Sequence, residues 1–503
     1  MPLLSIHCPP LLVLLNVVVA TLSASPSTAQ SAAPIVSPSE RTTVAPSSDE
    51  ALSAPPRDQT RDQTHDQPPD QTLDERIDAT KITTLKQPPS VSLADAQRAV
   101  PPTAIHRVAA RGAQIPLDDA TFARARTAIT RALAALAKLQ TTRGTWFENQ
   151  EVTPTDMEPR ARAASVAVTA MALKAFVQAA TIDADDALDT RDVNTNANII
   201  ARQRARNASD AVLADPVALD AVLNGGMGNY VMSSIASGLA AVGDSDARAN
   251  ADRAVRWLRD SQWDEAEGVD ATKDWYGGAG YGNGKRPDLS NTQMMLDAMH
   301  DAGVSADDPA MQRALAFVAR TQNRKSTNPA DWAQNGSNDG GFVYTPANGG
   351  ESFASDAAGE GRSGEKLATK SLRSYGAMTY AGFKSMLYAG LSQDDPRVKD
   401  ALAWIARHFT FAENPGLGQQ GYFYYVHAMS RALLASQRNT ITDDKDEVHN
   451  WRAELIDALI ARQRADGTWC NEVARWEESN VALATIYAAL ALEEAIKPTL
   501  VHE

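Results

Sequence analysis

The side chains of this chain that could do chemistry gather where apolar, small-residue helices are expected to begin. They are Tyr276, Tyr281, Arg286, Asp288, Asn291, Tyr344, Glu351, Arg373, Tyr375, Thr379, Tyr380, Tyr424, His427, Trp476 and Glu477. Helix starts offer free N–H groups and favour anions. Aromatic rings with polar tips, set beside carboxyls and guanidinium groups, suit a saccharide-type ligand or a cationic transition state. Asp288, Glu351, Tyr375, Tyr380, His427 and Glu477 are the catalytic candidates. Tyr276, Tyr281, Arg286, Arg373, Tyr424 and Trp476 are the ligand-binding candidates. Plain structural roles compete: Asp288 and Glu477 can cap helices, the tyrosines can pack a wall, and His427 can be a core histidine. No metal ligand set and no cofactor is read from the sequence. One acidic run, Asp183-Ala184-Asp185-Asp186, has a suggestive spacing, but it precedes the polar stretch Leu188 to Asp192. An acid that protonates an alkene needs a dry pocket, so this run reads as a solvated connection.

The elements that must position these residues announce themselves as a repeat. Ala302–Arg320 and Ala389–Arg407 lie 87 positions apart and are identical at 11 of 19 positions. Each copy spells a helix ending at Gly, a tight connection, and a new helix with Asp as N-cap and Pro at its first position. Gly303 and Gly390 are therefore expected at equivalent left-handed helix ends. Gln140 to Trp146 and Gln463 to Trp469 share the form Q-x3-G-x-W. Trp257-Leu258 and Phe317-Val318 precede Gln262 and Gln322 after three residues, and Trp404-Ile405 precedes Phe409 in the same frame. A Gln at a helix end can bond free carbonyls of its own turn and N–H groups of the next helix.

Six helix pairs follow. The outer members are Asp118–Gln140, Asn196–Leu223, Asp246–Gln262, Asp308–Gln322, Asp395–Phe409 and Glu447–Gln463. The inner, nearly all-apolar members are Arg160–Ala180, Gly228–Val242, Asp288–Ala302, Ser371–Gly390, Gly418–Ser436 and Ser479–Ala495. A helix–turn–helix unit cannot bury its apolar face alone, so the pairs must stack. The expected fold class is all-α, an (α/α)6 toroid.

These motifs carry a family likeness across about residues 118–495. The Q-x3-G-x-W copies and the Gln-ended helices resemble the repeats of squalene–hopene cyclases and protein prenyltransferase β subunits. Tyr276–Gly282, Arg286–Thr292, Asp339–Phe342 and Ser374–Gly382 resemble secreted bacterial proteins described as prenyltransferase/squalene oxidase repeat-containing. The likeness implies a barrel with a central cavity for an apolar, isoprenoid-like ligand. It also implies two signatures, which this chain does not supply. The D-x-D-D acid of the cyclases would have to lie in the cavity, and Asp183–Asp186 is placed in a loop. The zinc site of the prenyltransferases would need Asp-x-Cys where Tyr375 and Ala377 stand; only His427 falls where a ligand would. Cys470 sits beside Trp469 on an outer turn. Three readings stay open: a terpenoid-cyclase-like protein acting on or binding an isoprenoid-like ligand, a non-catalytic ligand- or partner-binding module, and a carbohydrate lyase or hydrolase.

Residues 1–29, with an apolar run from Leu11 to Leu22, read as a signal peptide and imply a secreted, periplasmic or cell-envelope location. Residues 30–115 are rich in Pro, Ser, Thr, Asp and Gln, too poor in apolar side chains to fold, and read as a linker; residues 116–498 form the toroid. The formal net charge of −14 argues against a nucleic-acid partner. After signal removal no membrane span is expected, and the partners that remain are an apolar small molecule or a saccharide. The Gly-rich stretch 339–365 reads as a lid or rim over the cavity, or as filler.

Overall fold

Side-chain caps open all six outer helices in the computed structural model, which describes residues 117–147, 157–184, 193–282, 284–354 and 371–498, without the side chains of 183 and 184. The expected segments 1–29 and 30–115 lie outside the described residues, apart from the boundary near 116. The outer helices are α1 (Asp119–Leu139), α3 (Asn196–Ala214), α5 (Ser245–Asp260), α7 (Pro309–Thr321), α9 (Pro396–Arg407) and α11 (Trp451–Arg462). Their caps are Asp118, Thr195, Asp244, Asp308, Asp395 and Asn450, each accepting a backbone N–H of the first turn. Alternating with them are the inner helices α2 (Pro159–Ala184), α4 (Gly228–Val242), α6 (Leu289–Asp301), α8 (Gly376–Tyr388), α10 (Tyr422–Ala435) and α12 (Val481–Ile496). Every residue of α12 is buried.

The inner helices pack in cyclic order, α2 on α4, α4 on α6, and so on through α12, which returns to α2. The outer helix α11 likewise meets α1. The expected all-α toroid is the fold. By length and composition α2 could cross a membrane, but 89% of its apolar window is buried inside the protein, as its place in the inner ring requires. Small residues let the ring close: the backbone of Gly238 sits where a Cβ would lie 2.6 Å from the Ala170 carbonyl oxygen.

The repeated glutamines act as staples between neighbours. Nε2 of Gln140, Gln262, Gln322 and Gln463 donates to the carbonyl of a Gly in the connection that follows its own helix, at 2.9–3.0 Å. The same nitrogen donates to Ala201, Ala310, Arg397 and Ala128 respectively, carbonyls of the following outer helix. The partner on the next helix is thus a carbonyl, where the sequence suggested an N–H. In Q-x3-G-x-W the glycines Gly144 and Gly467 take φ of 85° and 89°, and Trp146 and Trp469 donate Nε1–H to Leu136 and Leu459 carbonyls. Gly303 and Gly390 sit at φ 79° and 88°, the equivalent positions their shared frame predicts.

The second pair differs from expectation. Its outer helix stops at Ala214, Asp215 caps a short helix Pro216–Val222, and a π turn (Leu223–Met227) runs straight into α4. Pro216 has no N–H to continue α3, and Asp215-Pro216 repeats the start signal of Asp308-Pro309. Between α7 and α8, residues 341–354 fold over the starts of inner helices: Tyr344 accepts from the first N–H of α6, at 2.8 Å, and pairs with Glu351. The rest of the Gly-rich stretch, 355–365, lies outside the described residues.

Candidate functional site

Each inner helix brings its N-terminal part to the same end of the ring. There a cavity of about 270 Å³ opens on the axis, lined by residues of all six inner helices and their preceding loops. Nine aromatics form most of its wall: Phe147, Tyr230, Tyr281, Tyr344, Phe353, Tyr375, Tyr424, Trp476 and Tyr487. Ala164, Ala167, Val168, Met171, Met227, Ala377, Met378, Leu417 and Leu483 fill between them, and Arg160, Ser234, Ser290, Asn414, Glu477 and Glu478 are the polar members. At the mouth Arg475 lies over the rings of Phe353 and Trp476, 4.9 and 4.6 Å from their centroids. Trp476 and Glu477 both take positive φ, 57° and 64°, a backbone strain that non-glycine residues hold only when their surroundings enforce it.

Of the residues singled out from sequence, Tyr281, Tyr344, Tyr375, Tyr424, Trp476 and Glu477 line this cavity. Asp288 lies behind the wall, 1% exposed, and caps α6 through the backbone and side-chain nitrogens of Asn291, both at 2.8 Å. Burial pushes its pKa up to about 6 against those donors. Arg286 and Glu351 pair with each other at 2.6 Å and are half-exposed. Arg373 is buried, its carbonyl accepting from Ser352. Tyr380 packs edge-on against Tyr425 in the core. Tyr276 stands apart, its hydroxyl donating to Glu265 on an exposed turn. His427 also lies outside the lining, tilted against Tyr487. Burial, then the charges of Arg431, Lys384 and Lys174, hold His427 well below its usual pKa and so neutral.

The sequence reading missed the most deeply placed acid of the wall. Glu478, 1% exposed, accepts from the N–H groups of Phe423 and Tyr424 at the start of α10, at 3.2 and 2.7 Å, and from Asn471 at 2.7 Å. Burial raises its pKa to about 7 in spite of those three donors. Glu477, the candidate chosen from sequence, is its neighbour; the strained turn swings Glu478 inward.

Also missed is a charged set between the inner helices, which are less apolar than expected. Lys384 donates to Asp297 and to Gln293 Oε1, both at 2.7 Å. Asp301 receives Lys174 at 2.5 Å, Ser237 at 2.6 Å and Arg431 at 2.9 Å. Burial lowers the Lys384 pKa to about 8, partly offset by Asp297. Burial works to raise Asp301, but Arg431 and Lys174 hold it well below the carboxylate range. Above this set Gln293 Nε2 reaches Tyr424 at 3.0 Å; Tyr424 meets Ser290 at 2.9 Å, and Ser290 meets Tyr230 at 2.7 Å.

Among the described residues one His/Asp/Glu group, Asp443, Glu447 and His449, has ligand-type atoms all within 4.8 Å of one another. It sits at the hairpin of β1 (Ile441–Thr442) and β2 (Val448–His449), outside the cavity lining. Asp443 Oδ1 there already accepts the N–H groups of Lys445 and Glu447. Of the acidic run Asp183–Asp186, Asp185 and Asp186 lie outside the described residues. Asp183 is on α2, twelve residues beyond the cavity-lining Met171, about 18 Å further along the helix.

No protein-family model matches the chain, and no curated protein matches it in sequence. Solved structures similar to it are distant. An inactive variant of an α-1,6-mannanase of Salegentibacter sp., in complex with α-1,6-mannotriose, is 9% identical with a TM-score of 0.46, covering 74% of this chain and 98% of that one. The type II terpene cyclase MstE from Scytonema, in a variant without ligand, is 13% identical with a TM-score of 0.29, covering 76% and 99%. A protein from Actinoplanes is 14% identical with a TM-score of 0.30, covering 52% and 88%.

Proposed function

We propose that this toroid binds one apolar, isoprenoid-like molecule in its axial cavity. The observation that carries the reading is the composition of the wall: eighteen of its twenty-four side chains are aromatic or aliphatic. Several of the remaining polar groups are already committed. Asn414 holds the Ala377 N–H and the Gln420 carbonyl, Ser290 holds two tyrosines, and Glu478 holds three donors. A saccharide needs a dense set of uncommitted donors and acceptors; an apolar chain needs area to be removed from water. The resemblance to squalene-cyclase and prenyltransferase repeats agrees with this choice. If the protein also transforms its ligand, Glu478 is the group placed for proton transfer, because its pKa near 7 lets it hold or release a proton at neutral pH. The apolar run Leu11–Leu22 supports a secreted or cell-envelope location.

Equilibrium dialysis against β-farnesene, farnesol and mannotriose, read by mass spectrometry, tests the proposal. The expected result is about one isoprenoid per chain, lost when Met171→Trp fills the cavity, with no retention of mannotriose. Retention of mannotriose alone, or of none of the three, overturns it.

A further inference from the structure

The connection from α10 to α11 carries a group of side chains that the cavity does not use. Inner helices start at the cavity end, so this hairpin, which follows the last turn of α10, lies at the opposite end of the ring. Its strands pair Ile441 with His449 and Thr442 with Val448, and the Asp443 N–H donates to the Glu447 carbonyl at 2.9 Å across the turn. The pairing sets Asp443, Glu447 and His449 side by side, with their ligand-type atoms within 4.8 Å of one another.

The imidazole separates this group from a patch of surface acids. His449 Nδ1 lies 3.0 and 3.1 Å from the two carboxylate oxygens of Glu454, on the first turn of α11. A carboxylate only accepts, so Nδ1 carries the hydrogen and, in the neutral ring, Nε2 carries the lone pair. That nitrogen faces Asp443 Oδ2 at 3.6 Å, too far for a hydrogen bond. A tetrahedral zinc with bonds of about 2.0–2.2 Å spaces its ligands about 3.3–3.6 Å apart, which matches that separation. Both groups are held in place. The His449 ring packs on Phe409, centroids 4.8 Å apart, and Asp443 Oδ1 accepts the N–H groups of Lys445 and Glu447, which leaves Oδ2 for a cation. The Glu447 N–H, foremost, holds the Asp443 carboxyl below the usual carboxylate range and so charged at neutral pH. The Glu447 side chain is exposed and makes no hydrogen bond or ion pair among the described residues, so it is free to close on an ion. From Asp443 to Glu454 acids outnumber Lys and Arg five to two, which favours a cation.

We infer that Asp443, Glu447 and His449 form a zinc site that clips the hairpin to the start of α11, with Glu454 as the positioning residue behind the imidazole. One imidazole nitrogen among carboxylates suits a first-row transition ion over calcium or magnesium, which take oxygen ligands. The site lies away from the cavity, so its role is to tie the last helix pair to the ring.

Full-length protein stripped with EDTA and titrated with zinc chloride in a calorimeter tests the site. One zinc per chain is expected, bound more tightly than calcium or magnesium and raising the melting temperature. His449→Gln and Glu447→Gln should each remove both effects, and His300→Gln, at an exposed histidine outside the group, neither. Glu454→Ala should weaken zinc by about 10–100-fold, and Glu454→Gln, whose Oε1 still accepts the Nδ1 hydrogen, should restore most of that loss. Melting temperatures in EDTA report any folding defect of the variants separately; Glu447→Gln, at an exposed side chain, decides the case if His449→Gln does not fold. X-ray absorption at one equivalent of zinc should show nitrogen and oxygen neighbours at about 2.0–2.2 Å. A sulfur shell, calcium held more tightly than zinc, zinc binding unchanged in Glu447→Gln, or no zinc binding by the wild type overturns the inference.

Discussion

Glu478 couples the cavity wall to pH in a way that one substitution can expose. Its carboxyl is raised by burial from an ordinary value of 4.5 to about 7, so between those values the folded chain holds a proton that the unfolded chain has lost. Stability contributed at this site is therefore full below pH 4.5 and falls as pH rises through 7, beyond which it is level. From pH 5 to pH 8 the loss amounts to about 2.5 kcal/mol. Glu478→Gln removes the titration. It also sets an amide nitrogen against the donors that the carboxylate now satisfies, Phe423 N–H, Tyr424 N–H and Asn471 Nδ2. That is a constant penalty of about 1–3 kcal/mol at every pH. Urea unfolding of both proteins at pH 5 and pH 8 should show the variant weaker at pH 5 and recovering most of the gap at pH 8. Asp288, raised to about 6, titrates in the same window with the same sign, and Lys384, lowered to about 8, acts with the opposite sign mainly above it; both are common to the two proteins and cancel in the difference. A gap equal at the two pH values, within about 0.5 kcal/mol, refutes the coupling.

Gln322→Met should cost about 2–4 kcal/mol in denaturant unfolding, since the fully buried amide serves both Gly340 and Arg397 carbonyls and the apolar replacement leaves the Gly340 oxygen orphaned. Gly303→Val and Gly390→Val should each lose about 1–3 kcal/mol from positive φ. Gly390 should be the worse of the two, because its added Cβ also meets Ala306 at 3.2 Å while the space at Gly303 is open; equal melting temperatures for wild type and both variants would contradict this. Asp301→Asn should destabilise by about 3–5 kcal/mol at pH 7, leaving buried Lys174 without its ion-pair partner and Arg431 with Asp297 alone. Because the Asp301 pKa is depressed, that gap should shrink as pH falls below about 4, measurable by thermal unfolding at pH 3 and pH 7.

The fold was legible because helix ends are written in local chemistry. Asp before Pro, Gly at a left-handed terminus, and Gln followed by Gly and Trp are all decided within one turn of chain, so eleven of the twelve ring helices fall within about five residues of where the sequence puts them, the exception being α3, which ends at Ala214. The break at Pro216 carried the same Asp-Pro signal and was read through, because the flanking apolar spacing continued across it. The site was legible only in part. Tyr281, Tyr375, Tyr424, Trp476 and Glu477 could be picked out because they stand at helix starts beside other polar residues. Glu478 could not, since which of two adjacent glutamates is buried depends on the strained φ of Trp476 and Glu477. Tyr230 follows Gly228-Asn229 with no acid or arginine nearby in sequence. The ion set of Lys174, Asp297, Asp301, Lys384 and Arg431 is spread over four inner helices, and single polar residues on Ala-rich helices give no hint of a common meeting point.

The return of α12 to α1 and α2 has a consequence for how the chain could be rewired. An open stack of helix pairs has two exposed ends from which it can fray, pair by pair. A closed circuit has none, and breaking it anywhere removes two interfaces at once, so the described residues should unfold in one cooperative step. It also makes the covalent order of the pairs arbitrary. A circular permutant opened at the exposed hairpin loop between Asp443 and Asp446, with a short linker joining residue 498 to residue 117, would keep every neighbour relation, including the staple from Gln463 to Ala128. It would then encode the same cavity from a chain that starts with the last helix pair of the present one.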